Sequence, residues 1–194
     1  MNAARDRDAK GSRAGRNLPA AIASGVVLAV IVIVSLFTLK WLFGVVVIIA
    51  LGIAMREMVH AFASRDIKIA RVPAYSAVVI LPTVAYLTGP IWQLVATGAL
   101  LLAAMLWRIR RGAEGYVRDI SASFFVIAYL PFMAGFLMLT LATDNGPIRV
   151  VVFILLTISN DIGGYFAGIF YGKHPIAASI SPKKSWEGFA GSLI

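Results

Sequence analysis

Apolar residues fall into six long runs separated by short basic or turn-forming segments. The runs cover about residues 20–39, 41–55, 73–89, 91–107, 120–142 and 148–171, each close to the ~20 residues an α-helix needs to cross a hydrocarbon layer. The second is short, but Met58, Val59, Ala61 and Phe62 extend it past Arg56 and Glu57. Pro82 and Pro131 lie inside runs, where spanning helices tolerate proline. Thr88-Gly89-Pro90 and Thr143-Asp144-Asn145-Gly146-Pro147 read as tight turns between neighbouring spans. The pattern predicts an all-α fold, a polytopic membrane helix bundle of about six transmembrane helices. Gly188 to Ile194 reads as the start of a further helix, so the chain is expected to continue in a longer protein.

Composition agrees. The 194 residues are 60% hydrophobic and 14% charged, where ordinary soluble domains carry roughly a quarter charged residues, and the mean hydropathy is +0.86. The net charge of +9 would suit a nucleic-acid binder, but the basic residues sit between the apolar runs and act there as topology signals. With the N-terminus inside, sixteen of the eighteen Lys and Arg fall on the cytoplasmic side, leaving Lys40 and Arg149 outside. Trp41, Trp92 and Trp107 fall at span ends, as an aromatic belt requires. Residues 1–17, rich in Arg, Lys, Gly and Ser, read as a disordered cytoplasmic tail, and 18–194 as the membrane domain. The run after the tail is too long for a cleaved signal segment and lacks an exit of small residues. With no cysteine, thiolate chemistry and disulfides are excluded.

Two constellations carry candidate chemistry. Asp161 lies inside the sixth span, about 18 Å from Arg149 in a ~30 Å core, on the cytoplasmic half. A carboxylate there is costly and marks a functional site. Gly164, Gly168 and Gly172 share its face, leaving room for a ligand or for a closely packed helix. Asn160 adds a neutral oxygen, and such ligands suit Mg²⁺. The alternative is a packing helix whose Asp161 is neutralised by a neighbour. The second constellation is Ser181-Pro182-Lys183-Lys184-Ser185-Trp186-Glu187-Gly188. Ser181 as N-cap and Pro182 at the first position predict a helix start. Lys183 and Lys184 would then oppose the macrodipole unless an anion sat there. A phosphate site and a helix docked on anionic headgroups both satisfy that pattern. Glu187 can pair with a lysine or join a metal site. The pairs Arg56/Glu57 and Arg118/Asp119 read as interfacial charges, His60 and His174 as ordinary interfacial histidines.

Asn160-Asp161, Tyr165, Gly172-Lys173 and the block from Ser181 to Gly188 together resemble the phosphatidate cytidylyltransferase (CDP-diacylglycerol synthase) family. The resemblance covers about 150–194. It implies a membrane nucleotidyltransferase that moves a cytidylyl group from CTP to phosphatidate with Mg²⁺, giving CDP-diacylglycerol and pyrophosphate. It implies Asp161 as metal ligand and catalytic residue, Lys183 and Lys184 as catalytic phosphate contacts, and Asn160, Lys173, Ser181, Ser185 and Glu187 as substrate-binding groups. The family's later acidic and His-Gly-Gly segment would lie beyond Ile194, so half an active site is expected here, inactive alone. The partners expected are CTP, phosphatidate and the lipid bilayer of the cell membrane, with a homodimer open and nucleic acid excluded. Two other readings stand beside it: an ion-coupled transporter subunit with Asp161 as ion or proton site, and a scaffold packed through its glycines.

Overall fold

The computed structural model describes residues 18–177 and 181–193, and at positions 18, 21, 177, 182 and 183 the backbone alone. The expected tail, residues 1–17, lies outside the described residues. The chain divides into two compact units, Met1–Ala50 and Leu51–Ile194. In the first, α1 (Leu18–Thr38) is uniformly apolar and is separated by Leu39 from α2 (Lys40–Ala63), which carries into the second unit. Within α1, Ser35 and Thr38 return their hydroxyls to the carbonyls of Val32 and Val34, the usual way a hydroxyl is satisfied inside an apolar helix.

The second unit contains α3 (Arg71–Thr88), α4 (Pro90–Ile109), α5 (Tyr116–Ala142) and α6 (Gly146–Tyr171). These are followed by strands β1 (Pro175–Ala177) and β2 (Ser181–Ser185) and the short helix α7 (Trp186–Gly191). Helices α2 to α6 are each long and apolar enough to cross a membrane, and α1 is the remaining apolar helix. The expected bundle is present, with one addition that periodicity did not announce, the two-stranded antiparallel sheet. Helix α2 continues through Arg56 and Glu57 to Ala63, as its apolar extension predicted.

The turns follow their chemistry. Gly89, at φ 89°, takes the left-handed conformation that ends α3, and Pro90 opens α4 at once. Small residues of α3, Ala74, Ala77 and Ala85, are fully buried with Leu81, and α5 contributes Val126, Ile127 and Leu141 to the same core. Pro131 sits in a π-helical turn, Ala128–Phe132, inside α5. A proline there removes a backbone donor and leaves a carbonyl to be satisfied from outside. The buried amide of Gln93 packs against this turn, its Nε2 donating to the Phe132 carbonyl at 2.9 Å. It can approach because Gly135 has no side chain; a Cβ there would collide with the Gln93 amide.

The strongest polar contact joins the loops at one end of α2 to α5. Asp119 is 1% exposed and Arg108 3%. The Arg108 Nε donates to Asp119 Oδ2 at 2.8 Å, while its Nη1 and Nη2 donate to the carbonyls of Gly112 and Glu114 at 2.9 and 2.5 Å. Asp119 Oδ1 accepts from the Lys68 amide at 3.0 Å, and Ser123 Oγ accepts from the Ala70 amide at 2.9 Å. The α2–α3 and α4–α5 loops are thus both tied to the first turns of α5. This corrects the reading of Asp119 as an interfacial charge, since its carboxylate is buried. Arg118 stays half-exposed, pairing with Asp119 at 3.7 Å and donating to the Asp66 carbonyl, while Arg108 reaches the same carboxylate from the end of α4 at 2.8 Å.

Removing one partner of a buried, hydrogen-bonded ion pair strands the other. Asp119→Ala is therefore expected to lower stability by about 3–5 kcal/mol, and Arg118→Ala by less than about 1 kcal/mol. Thermal unfolding of the two variants in detergent tests the ranking, and equal effects would reject it.

Candidate active site

The last third of the chain folds back on itself. Helix α6 ends at Tyr171, the sheet reverses direction with Pro175 opposite Ser185 and Ala177 opposite Ser181, and α7 returns along α6. The return is possible because both helices present glycines. A Cβ at Gly163 would collide with the Gly191 carbonyl, and one at Gly191 with the Ala167 Cβ. Gly164 lies against Ser192 and Gly188, and a Cβ on Gly188 would sit 3.0 Å from the Gly164 carbonyl and 3.2 Å from the Gly168 Cα. The glycines of the sixth span therefore serve helix packing, and their partner is the further helix whose beginning the sequence indicated.

One expectation is overturned here. Ser181 does not cap a helix, and Lys183 and Lys184 are not in a first helical turn. Ser181 through Ser185 form β2, and Ser185 is the cap, its Oγ accepting from the Gly188 amide at 3.1 Å. Both residues are serines able to cap. Pro182 argued for the first, but in a two-stranded sheet every strand is an edge, where proline is tolerated. Buried Ser185 also sits against Gly172, which only a glycine allows. With the lysines on a strand, the argument that a helix start demands an anion there lapses. A helix of six residues offers no macrodipole to set against them.

Glu187 finds neither a lysine nor an acidic cluster. Its Oε1 lies 2.6 Å from His174 Nδ1, and its Oε2 accepts from the Lys173 and His174 amides at 3.1 and 3.2 Å. Together with the Trp186 amide, which donates to the His174 carbonyl at 2.9 Å, this carboxylate closes the loop after α6 onto the start of α7. The His174 side chain, followed by the backbone amides of Glu187 itself, Lys173 and His174, holds the Glu187 carboxyl down to about 2 from the ordinary carboxylate value of 4.5. His174, read from sequence as an ordinary interfacial histidine, is thus an anchor. The signal for it was faint: one histidine beside a Gly-Lys loop, thirteen residues from its acid.

Between α6, β2 and α7 lies a cleft of about 620 Å³, lined by Asn160, Asp161, Tyr165, Lys184, Ser185 and Ser192, with Ile169, Ile176 and Phe189 on its apolar side. Asp161 and Lys184 are both exposed to it, and neither has a hydrogen-bond or ion-pair partner among the described residues. Asn160 turns its Nδ2 to the Ser192 carbonyl at 2.8 Å, tying α6 to the end of α7 and keeping its Oδ1 open. Of the residues singled out from sequence, Asn160, Asp161, Lys184 and Ser185 thus share one cleft. Lys173 and Ser181 do not line it: Lys173 contributes its backbone amide to Glu187, and Ser181 begins β2. The side chain of Lys183 is outside the described part. Ser192, Ile169 and Phe189 were not anticipated, since nothing in the local sequence shows which residues a returning helix brings opposite Asn160.

The donor set is one carboxylate with a neighbouring amide oxygen; no group of three His, Asp or Glu side chains able to hold a metal occurs among the described residues. Such a set suits a hard cation that takes one or two protein carboxylates and completes its shell with water and substrate phosphates, as Mg²⁺ does.

Fold and cleft together define a multi-pass membrane protein with a polar cleft at one end of its last long helix. The chain matches the model of the cytidylyltransferase family over residues 19–194 and belongs to that family. It is 34% identical to a phosphatidate cytidylyltransferase of Mycobacterium leprae and 31% identical to one of Mycobacterium bovis. Each alignment covers 94% of this chain and 64% of the relative. A shorter stretch of 49 residues, a quarter of the chain and 11% of the relative, is 48% identical to phosphatidate cytidylyltransferase 2 of Rattus norvegicus. The chain thus spans somewhat under two thirds of the length of its mycobacterial relatives. No solved structure matches it. The transporter reading draws no support from these relatives.

Two predictions follow the geometry. Gly191→Ala must push α7 off α6 and is expected to cost about 1–3 kcal/mol, whereas Gly168→Ala places its Cβ at 3.7 Å from Gly188 and stays within about 1 kcal/mol of wild type. Hydrogen exchange over 172–193 distinguishes them. For Glu187, a carboxylate held below its ordinary value contributes stability that is complete above about 4.5 and is lost as pH falls toward about 2. Glu187→Gln is therefore expected to weaken protection of the Lys173 and His174 amides near neutrality, with the difference from wild type vanishing toward pH 2. A difference that persisted at pH 2 would contradict the anchor.

Proposed function

We propose that the protein is a phosphatidate cytidylyltransferase, transferring a cytidylyl group from CTP to phosphatidate to give CDP-diacylglycerol and pyrophosphate in membrane phospholipid synthesis. The observation that carries this reading is the cleft shared by Asp161 and Lys184, one acid and one base without partners among the described residues, beside a spanning helix, in a chain of the cytidylyltransferase family. A phosphate oxygen of phosphatidate forms a bond to the α-phosphorus of CTP while the bond from that phosphorus to the pyrophosphate oxygen breaks. The lipid is itself the nucleophile, so no covalent enzyme intermediate is needed. The protein's task is positioning and charge neutralisation.

Lys184 meets the phosphate oxygens on one wall of the cleft. Ile169, Ile176 and Phe189 form an apolar wall suited to the lipid side of the substrate pair, and Tyr165 stands beside them. Lys183 belongs to the same polar strand and is proposed as a second phosphate contact. Asp161, with Asn160 Oδ1 beside it, would hold Mg²⁺, which when bound offsets the charge of the CTP phosphates. Ser185 and Glu187 act by position: the first caps α7 and the second pins the loop at Lys173, so that the strand bearing Lys184 stays in register with α6. Ser181 starts that strand.

The orientation belongs to the same proposal. Spans that alternate in direction put the C-terminal end of α6, and with it the cleft, on the side of the basic loops, and basic loops face the cytoplasm. CTP is then on the correct side of a plasma membrane. A homodimer is the proposed assembly.

The full-length protein carrying Asp161→Asn or Lys184→Ala is to be assayed in membranes with labelled CTP and phosphatidate. Each variant is expected to lose roughly 10²–10³-fold in rate, the scale set by removing one preorganised charge from a reacting site. Full activity in both would reject the site, and absence of CTP-dependent lipid product from the wild-type protein would reject the reaction.

A further inference from the structure

A second polar cavity, of about 800 Å³, lies where the basic-side ends of α2, α3, α4 and α5 meet. It shares no residue with the cleft at Asp161. Its cations are Lys68, Arg71, Arg108, Arg111 and Arg118, and its acids Asp66, Glu114 and Asp119. Two of the cations already have acidic partners: Arg108 pairs with Asp119 at 2.8 Å, and Arg118 with Asp119 at 3.7 Å and Asp66 at 3.9 Å. Lys68, Arg71 and Arg111 then face a single unpaired acid, Glu114, and none of the three has an ion-pair partner among the described residues. The cavity is left with two surplus positive charges, on exposed side chains around a rigid, fully bonded floor of Arg108 and Asp119.

That arrangement is unfavourable for the protein alone. Three like charges converge, and Arg71 stands at the first position of α3, where the helix macrodipole disfavours a cation and no side chain caps the turn. A phosphate group would relieve both. The surroundings select its source. Val72, Ile109 and Val117, adjacent to Arg71, Arg110 and Arg118 in the chain, are 52%, 58% and 76% exposed, so apolar side chains stand next to the basic ones at the helix ends. Basic pockets between spanning helices with apolar flanks are the recognised setting for anionic headgroups.

We infer that this cavity is a second, non-catalytic site that binds the phosphate of an anionic phospholipid headgroup through Lys68, Arg71 and Arg111. The inference does not rest on the cytidylyltransferase reading, and its test reads binding and not turnover.

The detergent-solubilised full-length protein is titrated with short-chain phosphatidylglycerol, with phosphatidylcholine of the same chain length, and with inorganic phosphate. Saturable binding of phosphatidylglycerol and not of phosphatidylcholine is expected. Each basic side chain near an anionic headgroup is worth roughly a fivefold change in affinity, so the triple variant Lys68→Gln, Arg71→Gln, Arg111→Gln is expected to bind roughly a hundredfold more weakly, while Arg149→Gln, at a residue that lines neither cavity, leaves the affinity unchanged. Inorganic phosphate binding as tightly as the lipid, and lost in the triple variant, would assign the site to a soluble phosphate and overturn the lipid assignment. Equal binding of phosphatidylcholine, unaltered binding in the triple variant, or loss in Arg149→Gln would overturn the site. If the triple variant does not fold, Arg111→Gln alone, in an exposed loop, is expected to bind roughly fivefold more weakly, and an unchanged affinity there would overturn it equally.

Discussion

A chain that lives in hydrocarbon has no water to satisfy its polar groups, and each one left unpaired inside costs several kcal/mol. That constraint organises this molecule. Among the described residues no buried side-chain nitrogen or oxygen lacks a hydrogen-bond partner. Asp119 and Arg108 answer one another and then bind the loops around them. Gln93 reaches across to the carbonyl at the proline-containing turn of α5. Ser123 takes the Ala70 amide, and Ser185 takes the Gly188 amide. All but the last fasten separate elements together, while Ser185 caps its own short helix.

Against that background Asp161 and Lys184 stand out physically. Two acids near the helices are tied down: Asp119 by an arginine and an amide, Glu187 by a histidine and two amides. Asp161, within α6, has no such partner among the described residues, and it opens onto a cleft whose other wall carries Lys184. A carboxylate in a span that the fold has not neutralised is available for a cation, and an ammonium group beside it is available for a phosphate. The surrounding glycines make this possible indirectly. They bring α7 close enough to wall the cleft while leaving the polar side chains free of packing duty.

The two cavities divide the labour of charge in different ways. The cleft at Asp161 holds opposite charges apart, as binding a metal–nucleotide pair requires. The cavity above Asp119 buries its ion pair in the floor and leaves a surplus of cations at the rim, the charge balance proposed for a headgroup phosphate.

Much of this was legible in the chain. Hydrophobic runs of spanning length determine the helices, because in a bilayer an apolar segment has little choice but to close its own backbone bonds. Gly89-Pro90 determines a turn through backbone conformation alone. The Asn160-Asp161 pair and the Ser181–Gly188 block mark segments that the fold brings to one cleft. The tertiary structure decided how that block is used. Whether Ser181 or Ser185 caps the last helix depends on where β2 pairs with β1 and on the glycine gap at Gly172, neither of which is encoded within eight residues. That Asp119 is reached by Arg108 as well as by its neighbour Arg118, and that Glu187 meets His174, are likewise decisions of contact. Charge pairing is selected by distance and burial, and those exist only once the helices have packed.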